Sequence, residues 1–169
     1  MMILSLVTSL ATVGFVFAMV YAGLVDLTTM RIRNSLILAL LGSYVALAPL
    51  AGFTLEEVAW SAAIAAGLLI VGFVFFARGW MGGGDAKLLA VTGLWLGFEQ
   101  VPTFLVYTAL FGGALTLAVL QLRLVGLPAF LGSKPWITRL QSERTGIPYG
   151  VAITLAALIV FPQTRWFAL

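Results

Sequence analysis

The chain has 169 residues, of which 62% are hydrophobic and 9% charged, against roughly 25% charged in an ordinary soluble domain. It cannot cover a water-exposed surface and reads as a membrane protein, and its net charge of +3 comes from basic residues set singly between apolar runs, which fits topology better than a nucleic-acid-binding face. With no cysteine and no histidine, disulfides, thiolate nucleophiles and the common imidazole sites are excluded, so carboxylates are the main groups left for proton chemistry.

Apolar stretches run from about Ile3 to Val25, Ser35 to Phe53, Val58 to Ala77, Ala86 to Phe98, Thr103 to Leu122 and Ile147 to Phe161. At roughly 20 residues per crossing, they predict an all-α membrane protein: about six transmembrane helices in one bundle, a single domain over 1–169. The first stretch lacks a basic segment before it and is long for a signal-peptide core, so it is expected to be a retained span. The fourth is short, about 20 Å at 1.5 Å per residue, so its start is expected within the membrane, preceded by non-helical glycine backbone. The segment from Arg123 to Gly146, with Gly126, Pro128, Phe130, Gly132, Pro135 and Trp136, reads as an irregular or interfacial element.

The connecting loops alternate in charge. Arg31, Arg33, Arg78, Lys87, Arg123, Lys134, Arg139 and Arg144 fall in or beside the first, third and fifth loops, whereas Glu56, Glu57 and Glu99 fall in the second and fourth. By the positive-inside rule the odd loops are cytoplasmic and both chain termini external, with Arg165 the only base on the outer side. Asp26 and Asp85, the only aspartates, then share the cytoplasmic boundary, with Glu143 the one other acid there.

An aspartate beside hydrocarbon costs up to about 3 kcal/mol and is a functional candidate by default. Taken singly, each could be a solvated loop end paired with Arg31 or Lys87; as two on one face, they suit a carboxylate dyad that shares a proton and activates water. Gly82, Gly83 and Gly84 permit positive φ and close approach of a substrate strand; a helix-breaking turn is the plainer alternative. Lys87 lies two residues from Asp85 and does not face it on a helix; lipid phosphate, a substrate acid or solvent is its expected partner. Asn34 either caps the second span or orients Asp26. Asp85 begins a helix and Asp26 ends one, so the helix dipoles favour Asp85 as the base and Asp26 as the initially protonated partner.

Blander roles are expected elsewhere. Trp80, Trp95, Trp136 and Trp166 near span ends read as interfacial anchors. Ala62, Ala63, Ala65, Ala66, Gly67, Gly112 and Gly113 read as small residues for helix packing, Glu56 and Glu57 as a solvated loop, and Pro148 as a first-turn proline.

The motif Gly82-Gly83-Gly84-Asp85 resembles the GxGD signature of membrane aspartyl proteases. Asp26, followed by Ile32 and Asn34, resembles the first aspartate element of the type IV prepilin peptidase family, in which proline usually stands where this chain has Arg33; GGGDAKLLA resembles its second element, and Ile147 to Ala152, IPYGVA, its last-span motif. The resemblance extends over essentially the whole chain and is strongest to the short, peptidase-only branch associated with Flp/Tad-type pili, since there is no cysteine-bearing insertion. It implies a bacterial inner-membrane, multi-pass aspartic endopeptidase with its active site facing the cytoplasm. Asp26 and Asp85 would be catalytic; Gly82, Gly83, Gly84, Lys87 and Asn34 would position the substrate. It further implies a prepilin or pseudopilin substrate with a basic leader, a membrane lipid environment, and no cofactor, metal or nucleic acid. The rival readings are a small proton-coupled transporter or channel, whose acids would be spread across the bilayer, and a non-catalytic secretion-assembly subunit, which would tolerate loss of either aspartate.

Overall fold

A computed structural model describes residues 2–124, 135–142 and 145–168. Among them there is no β-strand. The helices are α1 (Met2–Thr29), α2 (Asn34–Leu50), α3 (Leu55–Ala77), α4 (Gly83–Leu96), α5 (Val101–Leu124), a short α6 (Pro135–Gln141), α7 (Tyr149–Val160), a 3-10 turn (Phe161–Gln163) and α8 (Arg165–Ala168). Each predicted apolar stretch corresponds to a helix. Three of these, α1, α3 and α5, are long and apolar enough to cross a membrane; α2 and the run from Tyr149 to Gln163 are shorter apolar helices. Of the 123–146 segment, residues 125–134 and 143–144, including Lys134, Glu143 and Arg144, lie outside the described residues.

The two shorter helices α4 and α7 form the inside of the bundle. From Asp85 to Leu96 every residue of α4 except Lys87 is buried, because α3, α2 and α7 pack around it. α7 is in turn flanked by α1, α5 and α4. A helix covered by protein on all sides has no polar face to show, which is why α4 reads as uniformly apolar rather than amphipathic.

Close helix crossings rest on small residues, though not chiefly on those expected. Ala62, Ala63, Ala66 and Gly67 are exposed, and a Cβ on Gly67 or Gly113 would meet no neighbour within 4 Å. Gly112 does serve as a contact, against Tyr149 and Ala152. The tightest crossing joins α3 to α4: a Cβ on Gly72 would lie 2.9 Å from the Ala86 Cβ and 3.1 Å from its Cα, and one on Gly93 would overlap Leu68.

The core at the far end of α4 is aromatic. Trp95 and Trp166 are buried, with ring centroids 4.9 Å apart and with Phe15, Phe53 and Tyr44 around them. Trp95 Nε1 donates to the Leu40 carbonyl at 3.0 Å and Trp166 Nε1 to the Trp95 carbonyl at 3.1 Å. These two are therefore core residues and not interfacial anchors; satisfied indole N–H groups make that burial tolerable. Trp80 is exposed, with Arg78 over its ring.

Glu57 is likewise no mere loop acid. It closes a reciprocal capping box with Thr54 at the start of α3, satisfying two amides that the first turn leaves open. It also pairs with Arg165, whose second nitrogen donates to the Gly52 carbonyl at 2.9 Å. The one base that runs against the charge alternation thus has its own carboxylate partner.

Candidate functional site

Asp26 lies one turn before the end of α1 and Asp85 in the first turn of α4. Both are buried, at 3% and 8% exposure, and both line one cleft of about 420 Å³ together with Met30, Arg31, Ile32, Gly82, Gly83, Gly84, Gly146, Ile147 and Pro148. They are not solvated loop ends. Neither forms an ion pair among the described residues, and Asp26 Oδ2 has no hydrogen-bond partner there. An unpaired buried carboxylate oxygen is a costly arrangement that a purely structural residue would not need.

Three backbone features hold the pair. At the start of α4, Asp85 occupies the third helical position, and its carboxylate faces the amide of Gly82, the residue before the helix. Gly82 has no room for a side chain, since a Cβ there would stand 2.9 Å from Asp85 Oδ2. At the start of α7, the Gly150 amide faces both carboxylates. A Cβ on Gly150 would lie 2.6 Å from Asp26 Oδ2 and 3.0 Å from the Ile32 Cδ1. The chain between α1 and α2 closes the third side: Ile32 packs against Gly84 and Gly150, and Met30 turns there with φ of 53°, its amide bonded to the Asp26 carbonyl at 2.7 Å.

The triglycine differs in detail from expectation. None of its three residues has positive φ, which among the described glycines occurs at Gly52, Gly79 and Gly97. Gly83 and Gly84 belong to the first turn of α4, and what they provide is close approach, to Phe76 and to Ile32 respectively. The helix-end argument for an asymmetric dyad also changes. Asp26 stands in the last turn of its own helix, yet its carboxylate faces the amino end of α7, so both aspartates meet a helix N-terminus.

Lys87 and Asn34 meet each other. Lys87 Nζ donates to Asn34 Oδ1 at 2.9 Å across 53 residues, which ties α4 to α2 just behind the two aspartate segments. Asn34 therefore does not cap α2, whose preceding residue is Arg33 with no side-chain cap. Arg139 on α6 donates to the Thr28 carbonyl at 3.0 Å, close to the same end of α1. Gly150 is a site residue that motif reading left without a role, although it stands in the quoted IPYGVA segment; Pro148, expected in the first turn, is instead the N-cap residue just before α7 and lines the cleft.

Residues 13–117 match the type IV leader peptidase family; this match takes in Asp26, Asn34, the triglycine, Asp85 and Lys87. No curated protein matches the chain, and no solved structure does.

Proposed function

The chain belongs to the type IV leader peptidase family, and from that premise we propose that it is a membrane-embedded aspartic endopeptidase whose dyad is Asp26 and Asp85. The observation that carries the reading is the pair of buried carboxylates in one glycine-walled cleft, with an unpartnered oxygen on Asp26. In the proposed reaction a water oxygen adds to the scissile carbonyl carbon while one carboxylate takes the water proton and the protonated partner hydrogen-bonds the carbonyl oxygen. The tetrahedral adduct collapses as a proton passes to the leaving nitrogen, giving a new carboxylate on the leader and a free amine on the mature chain. Two like charges in one cleft share a single proton, and the pair titrates as a unit.

The substrate on this reading is a prepilin or pseudopilin whose basic leader stays cytoplasmic and whose apolar helix lies in the bilayer. Gly82, Gly83 and Gly84 leave the wall of the cleft free of side chains, so an extended substrate backbone can come close. Lys87 and Asn34 act through their mutual bond as positioning residues. The six apolar helices are six spans with external termini and the cleft at the cytoplasmic face, a plasma-membrane arrangement supported by the basic odd-numbered loops. A proton relay is the weaker reading, because both buried acids sit in one cleft rather than across the bilayer.

The test is cleavage of a candidate prepilin co-expressed in membranes, read as a size shift with the new N-terminus sequenced. Asp26→Asn and Asp85→Asn are each expected to lower the rate at least about 100-fold at unchanged expression. Cleavage at the wild-type rate by either variant would remove the dyad.

A further inference from the structure

A second cavity lies at the opposite end of α4 from the aspartates, about 20 Å away along the helix. It holds about 450 Å³, within the size range of small-molecule sites. Trp95 and Trp166 form its floor, Phe53, Trp60 and Phe98 its aromatic wall, and Glu57, Glu99, Ser61 and Arg165 its polar groups.

Its electrostatics favour a cation. Two carboxylates line it against one guanidinium, and that guanidinium is already engaged by Glu57 and the Gly52 carbonyl, with Phe53 beneath it. Glu99 has no ion-pair partner among the described residues. Two of the lining rings, those of the exposed Trp60 and Phe98, stand 5.8 Å apart at 53°, and the face of an aromatic ring attracts a cation. Behind this wall the buried Tyr44 hydroxyl faces Ser61, which itself lines the cavity.

The geometry points to a binding site for an alkylammonium group in the cavity formed by Phe53 in the loop after α2, the start of α3, the end of α4 with the turn that follows it, and the segment from Gln163 to Trp166. Aromatic faces with an unpaired carboxylate are what recognises such a group. It can arrive as the headgroup of a zwitterionic phospholipid or as a free amine. The site is separate from the dyad, and its occupancy does not depend on peptidase activity.

The test uses the full chain reconstituted in vesicles, with choline as probe and quenching of the cavity tryptophans as readout. In vesicles of phosphatidylglycerol alone, choline is expected to quench saturably, and its uncharged isostere, with carbon in place of the ammonium nitrogen, is not. Glu99→Gln and Phe98→Leu, both at exposed positions, are each expected to weaken binding about fivefold, with a thermal melt confirming the fold. In vesicles that also contain phosphatidylcholine, loss of the choline response identifies the lipid headgroup as the natural source, and an unchanged response identifies a free amine. No quenching in phosphatidylglycerol, equal quenching by the isostere, or wild-type binding by both variants overturns the proposal.

Discussion

A single methyl group tests how tightly the two aspartates are held. On Gly150 it would lie 2.6 Å from Asp26 Oδ2 and 2.8 Å from its Cγ, so Gly150→Ala must push the carboxylate aside. A misplacement near 1 Å costs up to about 100-fold in rate. The variant is expected to keep its melting temperature within a few degrees while losing most cleavage; full activity would mean that Asp26 need not stand where it does. Met30 offers a stability test of the same wall. Its φ of 53° is tolerated poorly by side chains branched at Cβ, so Met30→Val is expected to cost about 1 kcal/mol, seen as a lower thermal midpoint. The two aspartates were legible in the sequence because an acid beside an apolar run is expensive and therefore conspicuous. Gly150 was not, since one glycine in the first turn of an apolar helix looks like any helix start, and only the fold brings it against an acid 124 residues earlier in the chain. Trp95 and Trp166 misled for the reverse reason: position near a span end predicts an interface, whereas three-dimensional packing made them the core.

Pairs of elements carry the next level of constraint. α4 and α3 approach through Gly72 and Ala86, and a Cβ on Gly72 would crowd the Ala86 backbone as well as its side chain. Overpacking there costs about 1–3 kcal/mol, more than the roughly 1 kcal/mol a helix gains from alanine in place of glycine. Gly72→Ala is therefore expected to lower stability by about 1 kcal/mol, and a gain in melting temperature would show that the helices can slide apart freely. The Lys87–Asn34 bond makes a second, separable claim. In a double-mutant cycle of Lys87→Met and Asn34→Ala, a coupling of about 1 kcal/mol in stability is expected; additive losses would mean the contact contributes nothing and Lys87 is free for substrate. Helix existence was readable because apolar runs broken by Arg, Glu and Gly leave few alternatives. Which glycines lie at crossings was not, because Gly67 and Gly72 belong to the same apolar helix and differ only in what faces them. The capping box of Thr54 and Glu57 was readable from its spacing, yet the adjacent acids resemble an ordinary polar loop.

At the scale of the whole molecule, polarity along the bundle axis decides which compartment the cleft serves. The ends of α1, α4 and α7 that form the aspartate cleft lie together, and the ends that form the aromatic cavity lie together at the other pole. If the basic loops face the cytoplasm, the first pole is inside and the second outside. A chain without cysteine allows this to be measured directly, since each introduced thiol is the only one. Thr28 is exposed beside the aspartate cleft, and Glu56 and Glu99 are exposed at the far pole. A membrane-impermeant thiol reagent added to intact cells is expected to modify the Glu56→Cys and Glu99→Cys variants and to reach Thr28→Cys only after the membrane is opened. The opposite pattern would turn the cleft outward, and a leader retained in the cytoplasm could then not be its substrate, whatever the chemistry of Asp26 and Asp85.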